Sequence, residues 1–228
     1  LKSIAWADEI VIVDSGSTDR TEAISAEFKA RFFLEPWQGF GAQKNSALQK
    51  CTGDWILSLD ADEEVSAELA EQIQKVLARN PKESAWFLPR RNLFLGKAMR
   101  RGGYYPDRKL RLFKRGSAVF EERAVHETLE YDGITGVLSG DLIHYAYPTL
   151  NLYLEHMNRY SSLGAEIVDA RGGGGSFVVG ILINPIATFL YNYILRGGFV
   201  DGREGLLLHL YHSCYVSWKY AKLWERRR

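Results

Sequence analysis

Gly53-Asp54-Trp55-Ile56-Leu57-Ser58-Leu59-Asp60-Ala61-Asp62-Glu63-Glu64 is a short apolar run that stops at four carboxylates within five residues. Trp55 to Leu59 has the length and residue types of a buried strand, so Asp60 falls where that strand leaves its sheet. In an open parallel sheet, ligands sit in the crevice outside the carboxyl ends of the strands. Carboxylates crowded there repel one another unless something cationic lies between them. An Asp-x-Asp pair offers hard oxygen ligands for Mg²⁺ or Mn²⁺, and such an ion keeps several waters and binds substrate phosphates as well. Asp60 and Asp62, with Ala61 between them, are therefore candidates for a ligand site. Glu63 and Glu64 read as the acidic first turn of the next helix, and the same bland reading is open to the pair itself.

Toward the N-terminus, Glu9 to Val13 is a near-continuous apolar strand ending at Asp14, the pattern of a parallel strand buried on both faces. Leu1 to Ala7 reads as the last turns of a helix without a beginning, so a strand is expected to precede the sequence, which then is a fragment. Asp14-Ser15-Gly16-Ser17-Thr18-Asp19 is a strand-to-helix turn, with Ser17 or Thr18 as the cap of a helix running to about Lys29. Asp14 shares the strand-end position of Asp60, which makes it and Ser15 candidates for the same crevice. Arg31 to Leu34 is a weak strand. A helix from Ala42 to about Lys50 follows, with Lys44 and Asn45 in its first turn, where backbone N–H groups and a lysine suit a diphosphate. A solvated lysine explains Lys44 equally well.

Beyond the acidic stretch, Ser66 opens an amphipathic helix with Leu69, Ile73, Val76 and Leu77 on one face, stopped by Asn80-Pro81. The order to this point is that of a doubly wound, mostly parallel α/β sheet. Then the pattern changes to short strands at Trp86–Leu88, Lys109–Phe113, Ala118–Phe120 and Val137–Ile143, accompanied by many arginines. Most of those are solvated, and Arg108 and Arg111, beside a strand, are kept as candidates for an anionic ligand. Val125-His126-Glu127 sets a His beside a Glu. Adjacent side chains on extended chain point opposite ways, so one of them can reach a ligand while the other supports the loop.

The 228 residues are 46% hydrophobic, ample for a packed core, and a net charge of +1 argues against a nucleic-acid protein. Residues 177–228, however, hold seven Lys/Arg against three Asp/Glu. Phe177 to Leu195 is almost wholly apolar, with Asn184, Thr188, Asn192 and Arg196 recurring every four residues as one polar stripe. Asn184-Pro185 reads as a cap followed by a first-turn proline, and Asp201 with Glu204 as a capping box for a second helix that ends in Trp224 and Arg226-Arg227-Arg228. Apolar helices edged with Trp, Tyr and basic residues lie in bilayer interfaces, although packing onto the protein or a second subunit explains them too. Cys51 and Cys214 show no ligand spacing.

Taken in order, DEIVIVDSGSTD (8–19), GFGAQKNSAL (39–48), GDWILSLDADEE (53–64), RKLRLFKRG (108–116) and VHE (125–127) resemble the successive blocks of family 2 glycosyltransferases. The wording is most similar to enzymes that add β-1,4-glucose to heptose in the lipopolysaccharide inner core. The resemblance covers Leu1 to about Gly164 and implies inverting transfer from a UDP-sugar on a GT-A fold, with Mg²⁺ or Mn²⁺ as cofactor. It implies that Asp14 contacts the base or ribose, that Lys44 lies near the nucleotide, and that Asp60 and Asp62 serve ribose and metal-bound diphosphate. Glu127 is then the base for the acceptor hydroxyl, with His126 as a metal ligand or positioning group. The family's first strand, which packs on the nucleotide base, is expected to precede Leu1.

The expected organisation is a glycosyltransferase domain over 1–171, a Gly-rich hinge over 172–176 and an apolar, basic helical tail over 177–228. The expected partners are the UDP-sugar donor, a lipid-linked saccharide acceptor and the inner membrane surface, placing the protein peripherally on the cytoplasmic face of a bacterial inner membrane. A polyprenyl-phosphate sugar transferase of the same fold, and a non-catalytic membrane-associated module, remain open alternatives.

Overall fold

The computed structural model describes residues 1–121 and 128–228, and its contacts divide the chain into two units: Leu1–Pro89 with Arg108–Ile143, and Arg90–Asp107 with His144–Arg228. In chain order the first stretch holds β1 (Val11–Asp14), α1 (Thr21–Glu27), β2 (Arg31–Leu34), α2 (Phe40–Lys50), β3 (Trp55–Leu57), β4 (Glu63–Val65), α3 (Ala67–Leu77) and β5 (Ala85–Phe94). There follow β6 (Lys97–Ala98), β7 (Asp107–Lys114), β8 (Ala118–Phe120), β9 (Leu129–Tyr131), β10 (Thr135–Val137), β11 (Leu142–Tyr147), α4 (Leu150–Ala170), α5 (Asn184–Phe189) and α6 (Gly202–Arg226).

β1 and β2 pair in parallel as a two-stranded sheet, and a larger sheet runs in the order β3-β7-β5-β11-β4, with β10 also on β5. The pairing β10–β5 is parallel whereas β3–β7 and β5–β6 are antiparallel, so the larger sheet is mixed where a mostly parallel one was expected; β8 and β9 form a separate antiparallel pair. An antiparallel neighbour needs no helical crossover, and the chain from α3 to β7 contains only the strands β5 and β6.

α3 folds as its pattern dictates. The Ser66 side chain accepts the Leu69 backbone N–H at 3.2 Å, and Leu69 and Ile73 are wholly buried against Val65, Leu88, Leu112, Leu138 and Leu142. Burial of a side chain of that size contributes about 1.5–3 kcal/mol relative to exposure. A smaller cluster of Ile56, Ala85 and Phe113 lies along the β3–β7 ladder.

In the second unit, Phe94, Met99, Tyr153, Met157 and Leu208 form the core, with the Phe94 and Tyr147 rings edge-on to Tyr153 at 5.3 and 4.8 Å. Gly172–Gly175 lies inside this unit, between α4 and the helical segment that starts at Phe177. That segment continues through a π-helical Val179–Ile183, α5, and a π-helical Leu190–Leu195. Asn184 has helical backbone angles, so it is no cap. Pro185 falls where the wide π turn gives way to α5, where its missing N–H is tolerated.

Other local expectations change as well. Leu1–Ala7 contains a single 3-10 turn at Lys2–Ile4, and Val137–Ile143 resolves into the ends of two strands, β10 and β11. The cap of α1 is supplied by neither Ser17 nor Thr18: Asp19 Oδ1 accepts the Thr21 backbone N–H at 2.9 Å. Asp201 likewise makes no capping bond to α6, because its buried carboxylate accepts the backbone N–H groups of Arg100 and Arg101 at 3.0–3.1 Å. Among the described residues no helix is long and apolar enough to cross a membrane.

Candidate active site

The site is built on the turn that follows β3. Asp60 accepts the Glu63 backbone N–H through its carbonyl at 3.0 Å, while the Glu63 carboxylate accepts the Asp60 backbone N–H at 3.0 Å, closing a tight turn with Ala61 and Asp62 exposed at its tip. Glu63 therefore opens strand β4; it is not in a helix's first turn, which begins only after Ser66.

The β3–β7 register sets Leu57 opposite Leu112, and the Ser58 N–H donates to the Arg111 carbonyl at 2.8 Å, which brings Arg111 alongside Asp60. Its guanidinium Nη2 donates to Asp60 Oδ2 and, at 2.6 Å, to Glu63 Oε1. The Glu63 side chain is 0% exposed and that of Arg111 7%. From α2, the Lys44 ammonium meets Asp60 Oδ1 at 2.8 Å and lies 5.2 Å from the centre of the Phe120 ring. Two cations thus bracket Asp60. Burial pushes its carboxyl up, but Arg111 and Lys44 outweigh burial and hold it down at about 2. Burial opposes the charge of Arg111, and Glu63 and Asp60 more than restore it.

The other predicted residues separate by position. Arg108 is exposed although Arg111 is buried, as an odd spacing on a strand requires. Asn45 donates to the Phe120 carbonyl at 2.8 Å and accepts the Phe120 N–H at 2.8 Å, so its amide fastens α2 to β8. Asp14 accepts the N–H groups of Gly16 and Ser17 at 2.8 and 2.7 Å and the Ser17 hydroxyl at 2.5 Å, and these bonds, the Ser17 hydroxyl foremost, lower its pKa. Its carboxylate organises its own turn, with Ser15 exposed beside it. His126 and Glu127 lie outside the described residues. Glu63 is the member that sequence reasoning missed, and the signal was Arg111 itself, since an arginine in an apolar strand requires a buried counter-charge.

Because the folded-state pKa of Asp60 is depressed, its contribution to stability is present above about pH 3.8 and is lost as pH falls through about 2. Denaturant unfolding at pH 5 and pH 2.5 is expected to show that loss, on the order of 1–2 kcal/mol, in the wild type and not in Asp60→Asn. Equal pH sensitivity of the two proteins would show that Asp60 is not the group.

Among the described residues no three His, Cys, Asp or Glu side chains cluster as a metal site. A divalent ion of the kind bound by one or two carboxylates and a substrate diphosphate needs no such cluster, and exposed Asp62 has the hard oxygen donors it takes. The donor chemistry fits.

An α/β sheet with an ion-paired acidic turn at a strand end is an arrangement that can hold a charged ligand. Residues 2–122 match the model of glycosyl transferase family 2, and the chain belongs to that family. The lipopolysaccharide core biosynthesis glycosyltransferase LpsC of Rhizobium meliloti (strain 1021) is 32% identical, with 99% of this chain and 86% of that protein aligned. An uncharacterized glycosyltransferase of Rickettsia typhi is 27% identical over 96% of this chain and 78% of its own length. Among solved structures, the mannosyltransferase PcManGT of Pyrobaculum calidifontis, in complex with GDP-Man and Mn²⁺, superposes with a TM-score of 0.52 at 15% identity, covering 100% of this chain and 82% of that one. That last likeness concerns the fold alone.

Proposed function

We propose that this chain transfers a sugar, glucose, from a UDP-sugar to a heptose of a lipopolysaccharide core, with inversion. The observation that carries the reading is the turn after β3, where Lys44 and Arg111 hold Asp60 ionised while Asp62 stands exposed at the tip. The likeness to LpsC supports the acceptor class.

In this reading Lys44 and Arg111 fix the turn so that Asp60 meets the ribose and Asp62 faces the diphosphate. Asp62, with His126, would hold a Mg²⁺ or Mn²⁺ ion, which when bound offsets charge on the departing diphosphate. Glu127 takes the proton of the acceptor hydroxyl as its oxygen attacks the face of the sugar opposite the leaving group. Asp14, Ser15 and Arg108 line the approach to the nucleotide. The test is a panel of nucleotide sugars incubated with core oligosaccharide, with and without a chelator, monitoring nucleotide release. Turnover with UDP-glucose that falls at least about tenfold on chelation is expected. Absence of turnover with every nucleotide sugar would overturn the reading.

In the same proposal the enzyme lies peripherally on the cytoplasmic face of the inner membrane, a reading that the tail supports. Leu182, Ile186, Leu190 and Ile194 are exposed along one face of the Phe177–Leu195 helix, whereas Asn184, Thr188 and Asn192 are half-buried. Three of the four residues of the polar stripe therefore turn inward, with Arg196 exposed at its end, and the apolar face turns outward, the reverse of a water-facing helix. The protein is expected to sediment with anionic vesicles, less so in high salt, and Ile186→Glu/Leu190→Glu is expected to release it without changing its thermal midpoint. Unchanged sedimentation of that variant would remove the membrane assignment.

A further inference from the structure

The second unit contains a cleft of about 490 Å³ whose walls include Arg100, Arg101, Arg196 and Tyr105, with Leu195 and Val200 at its lip. None of the three guanidinium groups pairs with a carboxylate among the described residues, although three like charges around one cleft repel. The backbone that presents them is firmly held. Buried Asp201 accepts the N–H groups of Arg100 and Arg101, Lys97 donates to the Asp201 carbonyl at 2.8 Å, and the Gly102 N–H donates to the Arg196 carbonyl at 3.1 Å. Acidic groups nearby are thus already committed: Asp201 to backbone, and Glu204 to Lys97 at 2.9 Å.

Two glycines in the lining allow close approaches. A Cβ on Gly103 would lie 2.3 Å from the Arg196 guanidinium, and one on Gly102 would lie 2.1 Å from the His209 ring, so both close approaches need glycine. His209 is buried directly behind this wall with neither ring nitrogen partnered among the described residues. Arg196 packs against the Tyr191 ring at 5.7 Å, which preorders its guanidinium fork. One arginine fork steadied on an aromatic ring, beside two further arginines on a firmly held backbone and with no paired carboxylate among the described residues, suits the tetrahedral oxygens of a phosphate.

We propose that this cleft is a phosphate-binding site, separate in its residues from the donor site, that takes a phosphomonoester. Leu195 is 76% exposed and continues the apolar face of the preceding helix, so a phosphate carried on a lipid would place its acyl part on that face. A phosphate on a soluble saccharide presents the same chemistry to the arginines. The assignment does not depend on membrane binding, because a soluble probe tests it.

Phenyl phosphate titrated into the full chain by calorimetry is expected to bind, and Arg101→Gln/Arg196→Gln to weaken it by about tenfold or more, since charge-assisted hydrogen bonds are lost. Circular dichroism checks the fold of that variant. If it is misfolded, Arg101→Gln alone, altering an exposed side chain, repeats the titration and is expected to weaken binding severalfold. Vesicles carrying phosphatidic acid, compared with phosphatidylserine at equal charge, separate the sources. Preference for phosphatidic acid, displaced by phenyl phosphate, identifies a lipid phosphate. Equal vesicle binding with retained probe binding identifies a soluble phosphate. Failure of the wild type to bind the probe, or unchanged affinity in the folded variant, overturns the proposal.

Discussion

Glu127→Gln is expected to keep donor binding near the wild-type level and to lower sugar transfer by about 10² to 10⁴, the usual cost of removing a general base. Glutamine preserves size and hydrogen bonding, so the loss isolates proton acceptance from the shape of the side chain. An attacking hydroxyl is a weak nucleophile near neutral pH and needs its proton removed as the new bond forms. An acceptor that is already an ionised phosphate needs no such help, so the same variant separates a hydroxyl acceptor from a polyprenyl-phosphate one. Titration of the donor by calorimetry alongside the rate measurement decides the matter. Transfer within about threefold of wild type would remove Glu127 from the chemistry, and loss of transfer in His126→Ala alone would move the base to the imidazole.

Arg111→Met is expected to destabilise the protein by about 3–5 kcal/mol, because it takes the guanidinium away from the fully buried Glu63 carboxylate and from Asp60. The penalty comes from the charge left behind more than from the pair's own worth. Adding Glu63→Gln to Arg111→Met removes that charge and is expected to recover a large part of the loss, whereas additive losses in the double variant would show that the two side chains do not act together. Urea unfolding of the wild type, Arg111→Met, Glu63→Gln and the double variant supplies the measurement. The two variants are complementary: one alters chemistry without stability, the other stability before chemistry.

Much of the fold was legible in the chain. Ser66, Leu69 and Ile73 announce α3 through a cap and a 3.6-residue period, and β2 matches its expected limits. The apolar run from Trp55 to Leu59 points to a strand before Asp60 because it is too short for a buried helix, and β3 takes only its first part, Trp55–Leu57. The rest depended on contacts distant in sequence. Glu63 looks like a helix-start acid until β7 delivers Arg111 to it, and Asp201 looks like a cap until the loop at Arg100 claims its carboxylate. Local spacing cannot distinguish a carboxylate that serves its own helix from one that serves a segment about 50 or 100 residues away. The outward-turned apolar face of the tail had a visible period, but periodicity identifies a stripe without saying which side faces water.

The clasp between Asn45 and Phe120 couples α2 to the β8–β9 ladder. β8 and β9 form a ladder, and just beyond it the Glu121 N–H donates to the Thr128 carbonyl at 2.9 Å, so the two ends of the intervening segment are tied together by bonds that do not involve it. The same helix, α2, carries Lys44, whose ammonium meets Asp60 at 2.8 Å and the Phe120 ring at 5.2 Å. The cation on the acidic turn and the β8–β9 ladder thus share one anchor, and a substitution that loosens the Asn45 amide would disturb both at once.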